Sequence, residues 1–293
     1  MSILPFDDRD GYIWMNGDIV EWREAKLHVL HHSLHYSGAV FEGIRSYNGK
    51  IFKMPEHNER LVLSAELIGY TLPYSVDELN AHTKAIVEKN GLKDAYIRPI
   101  AWRGAEQMGL GAQKNKVHVA IACWEWPNYF PAEILEKGLK MQIAKWRRPA
   151  PDTAPYRSKT SGLYTICTMS KHDAEAAGYH DALMLDYRGR VAEATGANFF
   201  MVKDGDIYTP IPDCFLNGIT RQTAIQLAKD NGITVHETVI MPEDLAGADE
   251  VFVTGTAYEI LPVGQIDDNV FGVGPIGTKL RKAYHELAGA KPS

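Results

Sequence analysis

Tyr156-Arg157-Ser158-Lys159-Thr160-Ser161-Gly162-Leu163-Tyr164 and, further along, Glu193-Ala194-Thr195-Gly196-Ala197-Asn198-Phe199-Phe200 decide the reading of this chain. A lysine amine can form a Schiff base with an aldehyde cofactor, and a carboxylate can hold a proton on a pyridine nitrogen. Those are the two protein groups that pyridoxal phosphate (PLP) chemistry needs. A lone lysine is usually a solvated surface charge. Lys159 gains meaning only if the rest of the chain supplies a phosphate cradle and a carboxylate receptor.

A cradle is visible at Leu216-Asn217-Gly218-Ile219-Thr220-Arg221, just before a helix expected at 220–230. A helix N-terminus offers unpaired N–H groups and partial positive charge, and glycine lets an anion approach closely. A glycine turn followed by a Thr N-cap would read the same way. A second hydroxyl-rich turn, Thr254-Gly255-Thr256-Ala257, follows a strand expected from Glu250 to Thr254. Two such loops suit a small phosphate better than a nucleotide, and no Gly-x-x-x-x-Gly-Lys-[Ser/Thr] loop is present. Arg60, on a helix expected at 56–69, is either an exposed helix arginine or a bidentate phosphate clamp.

Tyr96-Ile97-Arg98 sets a phenol and a guanidinium on one strand face, because side chains alternate with a period of two. Together they can receive a carboxylate. Met108-Gly109-Leu110-Gly111 is an apolar loop, and Trp126 and Tyr129 add aromatic walls for an apolar small-molecule site. His31, His32 and His35 lack metal-ligand spacing and read as core or interface histidines, so no metal is expected.

The bulk properties leave room for this. The 293 residues can bury a full core. Lysine and arginine total 31 against 37 acidic residues, so the net charge is −6 and bulk electrostatics does not favour nucleic acid. The cluster Lys145-Trp146-Arg147-Arg148 reads as a strand edge or local anion contact. Cys123, Cys167 and Cys214 form no disulfide or zinc pattern, which points to a reducing cytoplasm. No leader-like or membrane-spanning apolar run is read.

Along the chain, Asn16-Gly17 marks a hairpin, Val40 to Tyr47 a strand, and 77–90 a second helix stopped by Asn90-Gly91. Strands follow at Tyr96 to Ile100 and Val117 to Trp124. Trp126-Pro127-Asn128-Tyr129-Phe130-Pro131 reads as an interdomain connection. Strands at 140–145, 181–186 and 199–202 and a helix at 161–177 come after it.

Taken in order, these motifs resemble the branched-chain amino acid aminotransferases of PLP fold type IV, within the class IV aminotransferases. The match runs from Tyr12-Ile13-Trp14-Met15-Asn16-Gly17 to Gly255-Thr256-Ala257 and includes Val40-Phe41-Glu42-Gly43-Ile44-Arg45. The resemblance implies an α+β protein. A small α/β domain (1–125) and an interdomain loop (126–134) would precede a larger pseudo-barrel α/β domain (135–293). It implies pyridoxal 5'-phosphate as cofactor, amino acids and 2-keto acids as substrates, and a homodimer or larger assembly.

The resemblance also implies roles. Lys159 would bond the cofactor and shuttle protons, and Glu193 would pair with the pyridine nitrogen. Tyr164 would touch the phenolic oxygen. Arg60, Gly218, Ile219, Thr220 and Thr256 would hold the phosphate, with Leu216 against the ring. Tyr96 and the turn Gly255-Thr256-Ala257 would receive the α-carboxylate, and Arg98 the side-chain carboxylate of glutamate. Tyr36, Phe41, Gly43, Met108, Leu110, Trp126 and Tyr129 would line the aliphatic pocket, some across a dimer interface. Arg98 is expected to rest on Tyr36 or a backbone carbonyl. Leu110 and Arg157 depart from the family's smaller residues. D-amino acid and (R)-amine transaminases and aminodeoxychorismate lyases are the alternatives on this fold, and a non-catalytic binding protein is the alternative outside enzymes.

Overall fold

The computed structural model describes residues 4–126 and 130–290. The chain forms two compact units. The first holds residues up to Pro127 together with Ser158–Gly162, and the second holds Asn128–Arg157 and Leu163 onward.

In the first unit, β1 (Tyr12–Met15) and β2 (Asp18–Glu21) make the hairpin around Asn16-Gly17, both at positive φ. Then come α1 (His32–Tyr36), β3 (Val40–Phe41), β4 (Ile44–Tyr47), β5 (Lys50–Ile51), α2 (Met54–Leu67), α3 (Val76–Lys89), β6 (Ala95–Arg103) and β7 (Val117–Glu125). The sheet runs β2-β1-β7-β6-β4-β5, with β3 also on β6. The expected strand from Val40 to Tyr47 is broken at Glu42-Gly43, which lies opposite Pro99 of β6. Proline has no N–H to give the ladder, so only Glu42 N–H to Pro99 O remains, at 2.8 Å. Helix α3 is capped by Ser75 and Glu78, each bonding the other's backbone N–H. Leu61 of α2 and Leu79 and Ile86 of α3 bury fully against Val40, Ile44, Ile97, Val119 and Ile121.

The 158–162 segment joins this unit through its backbone. Val40 bridges Thr160, Phe41 N–H bonds Lys159 O at 3.2 Å, and Lys159 N–H bonds Ser64 Oγ at 3.0 Å.

The second unit adds α4 (Ala132–Lys137), β8 (Leu139–Ile143), α5 (Tyr164–Ala176), β9 (Asp181–Leu185), β10 (Val191–Ala194), β11 (Asn198–Lys203) and β12 (Asp206–Pro210). It continues with α6 (Ile219–Asp230), β13 (Val235–Thr238), β14 (Glu250–Gly255), β15 (Glu259–Ile266), β16 (Asn269–Val270) and α7 (Pro275–Ala288). Hydrogen bonding runs β10-β9-β8-β15-β14-β11, and β10 also pairs with β11. The sheet therefore closes on itself as a barrel, with β12 and β13 extending from β11. Alternate residues fill the interior: Leu183, Leu185, Ala194, Phe199, Met201, Val251, Val253, Leu261 and Val263. The opposite parity carries Ala182 and Met184 under α5, and Phe200 stacked on Phe252 at 5.0 Å.

Closure needs tight passage at the start of β8. A Cβ on Gly264 would overlap Lys137 O, and one on Gly138 would overlap the Gly264 backbone. Gly264→Ala should therefore cost about 1–3 kcal/mol of stability, the usual penalty for overpacking. Urea unfolding of the variant against wild type measures this.

Candidate active site

In the first unit, the broken strand organises the candidate residues. Glu42 is fully buried, and its carboxylate accepts Arg60 Nε at 2.6 Å, Arg60 Nη2 at 2.8 Å and His57 Nδ1 at 2.6 Å. Burial alone would raise the Glu42 carboxyl, but Arg60 and His57 outweigh it and hold it well below the carboxylate range. Burial lowers His57. Arg60 is thus no exposed helix arginine. Its Nε–Nη2 edge is bound to Glu42, so a phosphate contact would use the Nη1–Nη2 end.

Gly43 clears the way for Tyr96, whose hydroxyl a Cβ there would overlap. Tyr96 also packs on Trp124 and Trp126, at 5.1 and 4.8 Å between ring centroids. Arg98 Nη2 donates to Tyr96 Oη at 3.1 Å. This corrects the expected rest position, because the Tyr36 hydroxyl bonds Met108 O instead, at 3.1 Å. Tyr96 is the nearer oxygen, two residues away on the same strand face. Arg98 Nε is buried without a partner among the described residues. The Phe41 ring holds both cations, with Arg98 Cζ at 4.9 Å and Lys159 Nζ at 5.0 Å from its centroid. Tyr36, Phe41, Gly43, Arg60, Tyr96, Arg98, Met108, Trp126 and Lys159 all belong to this unit, as does the highly exposed Leu110. Tyr129 lies outside the described residues.

His31, His32 and His35 take part in packing. Trp102 Nε1 bonds His31 Nδ1 at 2.7 Å, while His32 and His35 pair with Gly109 O and Val29 O.

In the second unit, Glu193 and Asn198 face each other across the β10–β11 seam. Their neighbours Ala194 and Ala197 point into the barrel, so both side chains project outward. Asn198 Nδ2 bonds Glu193 Oε2 at 3.2 Å and Leu216 O at 3.0 Å, and its Oδ1 accepts Gly218 N–H at 3.1 Å. A Cβ on Gly218 would overlap that amide oxygen. Gly218 is the N-cap of α6 and gives no side-chain cap, so Thr220 is not the N-cap but sits inside the first turn. Ile219 and Thr220 follow with their backbone N–H groups at the positive end of the helix. Arg148 completes the cluster, with Nε 3.3 Å from Glu193 Oε1. Burial opposes the Arg148 charge, but Glu193, Cys167 and Tyr164 raise its pKa overall. Thr254 pairs in register with Asn198, and its buried hydroxyl has no partner among the described residues. Tyr164 opens α5, Gly255 ends β14, and Thr256 and Ala257 begin the turn that follows.

Two residues of the site are not marked as such by the sequence. Arg148 reads as part of a strand edge or a local anion contact, and its burial depends on β9 beside it. Asn198 stands within the motif without a role, since two of its three partners, Leu216 and Gly218, lie on a distant segment of the chain. A signal is present for each: an arginine pair, Arg147-Arg148, between aromatic Trp146 and Pro149, and an amide directly after Gly196-Ala197.

The donor set fits a pyridoxal phosphate. Each unit offers groups that such a cofactor requires: the second an uncapped helix N-terminus, a buried Thr254 hydroxyl without a partner among the described residues and a carboxylate held between an arginine and an amide, the first a lysine amine. The fold and these groups define an enzyme of the PLP type. The chain belongs to the class IV aminotransferase family, whose model matches residues 39–266.

It is similar, at 44% identity over 98% of this chain and 99% of the relative, to a probable branched-chain-amino-acid aminotransferase of Rickettsia felis. It is 43% identical to the branched-chain-amino-acid aminotransferase of Pseudomonas aeruginosa, covering 98% of this chain and 96% of that one. Among solved structures it resembles the branched-chain amino acid aminotransferase of Escherichia coli. The TM-score is 0.93 at 39% identity, covering 97% of each chain. It also resembles an aminotransferase from Brucella abortus bound to the cofactor PLP. There the TM-score is 0.86 at 30% identity, covering 96% of this chain and 100% of that one. The barrel-bearing architecture is therefore fold type IV.

Glu42 links this site to pH. Its folded pKa is depressed, so it adds stability that is present above its ordinary value of 4.5 and lost as pH falls below it. Glu42→Gln should flatten that acid slope and cost about 3–5 kcal/mol at neutral pH by leaving Arg60 without its buried counter-charge. Thermal unfolding from pH 3 to 7 (a range of about four units around the ordinary carboxylate value) checks both.

Proposed function

We propose that this protein transfers an amino group between branched-chain L-amino acids and 2-oxoglutarate, giving the branched 2-keto acid and L-glutamate, with pyridoxal 5'-phosphate as cofactor. The observation that carries it is the Glu193 carboxylate fixed by Asn198 and Arg148 beside the uncapped start of α6, in a chain of this family. When bound, PLP supplies an aldehyde that takes up amines and a ring that draws electrons from the substrate Cα.

The chain's residues do the rest. Glu193 holds the proton on the ring nitrogen. The N–H groups of Ile219 and Thr220, reached past Gly218, bind the phosphate, and Thr256 and Arg60 add contacts to it. Leu216 packs on the ring and Tyr164 meets its phenolic oxygen. Lys159 Nζ carries the proton to and from the substrate Cα. Tyr96 and the turn Gly255-Thr256-Ala257 receive the α-carboxylate. Phe41, Tyr36, Met108, Leu110 and Trp126 form the aliphatic wall.

Arg98 lets one pocket take both substrates. A guanidinium facing an aliphatic chain carries a desolvation penalty. Bound to Tyr96 Oη and lying over Phe41, its charge is already partly satisfied when leucine enters. A γ-carboxylate can then recruit it.

The protein is proposed to work as a homodimer in the cytoplasm. Leu27, Val29, Leu30, Leu34 and Tyr36 are exposed on one stretch, and the Met108–Leu110 loop is bonded to it through Tyr36 and His32. A contiguous exposed apolar patch of this kind marks an association surface. All three cysteines are buried and free, as a reducing compartment allows. Among the described residues no helix is long and apolar enough to cross a membrane.

Lys159→Ala should abolish transamination between leucine and 2-oxoglutarate, measured by keto acid formation. Full activity in that variant would refute the assignment. Arg98→Leu should raise KM for glutamate and 2-oxoglutarate by about 10- to 100-fold, the worth of hydrogen bonds to a charged group. Leucine should change by less than about threefold, as expected where no such bond is lost. Steady-state kinetics on both substrate pairs measures the asymmetry, and equal losses would assign Arg98 to the α-carboxylate.

A further inference from the structure

Asp181 is a carboxylate that the reaction does not use. It opens β9, is 1% exposed, and shares interior parity with Leu183 and Leu185, so it caps one end of the barrel core. Its oxygens accept three bonds: Ala182 N–H at 2.8 Å, Thr195 Oγ1–H at 2.5 Å and Tyr258 Oη–H at 2.8 Å. Thr195 lies in the turn that follows Glu193 on β10. Tyr258 lies in the turn Thr256–Tyr258 between β14 and β15.

The two turns also touch directly. A Cβ on Gly255 would lie 3.2 Å from Gly196 O and 3.5 Å from Ala197 Cβ. The Tyr258 ring covers both glycines, 3.5 Å from a Cβ on Gly255 and 3.7 Å from one on Gly196. Phe130 packs on it at 5.4 Å between centroids. The chain then leaves the turn through Glu259 at φ +57, a left-handed conformation unfavourable for a side-chain-bearing residue. Such a turn is not set by local preference. It is set by what holds it: among its polar contacts are the buried Asp181, which accepts the Tyr258 hydroxyl, and the Glu259–His285 pair at 2.6 Å.

We propose that Asp181 and Tyr258 are positioning residues. They fix the turn at Gly255-Thr256-Ala257 against the hairpin that carries Glu193, and so set where the α-carboxylate is received. The proposal rests on the reading that this turn binds the α-carboxylate. Asp181 touches no reacting group. It acts through Thr195 on one side and Tyr258 on the other, holding the carboxylate receptor at a constant offset from the Glu193 hairpin. Small misplacements of binding groups are costly to a reaction that depends on orientation. Every substrate carries an α-carboxylate, so the effect should be common to all of them, unlike that of Arg98.

Tyr258→Phe and Thr195→Val each remove one hydroxyl and keep the packing. In the PLP-loaded enzyme, each should raise KM for leucine and for glutamate together, by about three- to tenfold, the effect of one buried hydrogen bond. Cofactor content and absorbance should stay unchanged. Because both act through Asp181, the double variant should lose less than the product of the single losses. Unchanged KM with a lowered unfolding temperature would make the clip purely structural and overturn the proposal. So would losses confined to one substrate class. Thr256→Ala, measured in parallel, separates the two ideas. If it alone raises KM, the turn binds substrate and the clip is wrong. If none of the three variants changes KM, the reading of the turn fails and the clip fails with it.

Discussion

The pairing of Glu193 with Asn198 carries the second unit. It is where β10 meets β11, and that meeting turns an open sheet into a barrel. Because Ala194 and Ala197 must point inward to fill the core, Glu193 and Asn198 must point outward. The pleat leaves no other choice. Asn198 then uses its remaining amide valences on Leu216 O and Gly218 N–H, which ties the start of α6 to the same seam. A carboxylate and an uncapped helix terminus are thus placed by one side chain. Barrel closure and the proposed site share their geometry.

The first unit rests on a smaller constraint of the same kind. Pro99 cannot donate to its neighbour, so the strand beside it breaks at Glu42-Gly43. Glu42 has the same strand parity as the fully buried Val40 and Ile44, so its carboxylate is buried on their face. The break leaves a glycine where the Tyr96 hydroxyl needs room. Glu42 then fixes Arg60 and receives His57. The buried charge is tolerable because two nitrogens of one guanidinium and one imidazole meet it. Arg148 solves the matching problem in the second unit, where burial opposes its charge and Glu193 sustains it.

Much of the local structure is legible in the chain. Asn16-Gly17 marks its hairpin, Asn90-Gly91 marks the end of α3, and Leu61 and Ala65 mark the buried face of α2. These signals are local, so one sequence carries them. The strand Glu259–Ile266 is not legible, because Pro262 and Gly264 interrupt its alternation. The tertiary reason for Gly264 is the Lys137 backbone against it. Helix α7 is hidden as well. It begins Pro275-Ile276-Gly277, and its first N–H groups are satisfied by Glu250, a residue far away in sequence, rather than by a local cap.

By itself the sequence determined the residue types of the chemistry and their order: a lysine, a carboxylate, a glycine-led helix start, and a tyrosine and arginine two apart on one strand. Covalent order and side-chain periodicity are enough for that. Only the tertiary structure decided which oxygen Arg98 rests on, that Arg148 and Asn198 hold Glu193, and that Asp181 joins two turns from different hairpins. Each of these depends on partners brought close by barrel closure or strand pairing. Hydrogen bonds and ion pairs act over a few ångströms in space, whatever the distance along the chain.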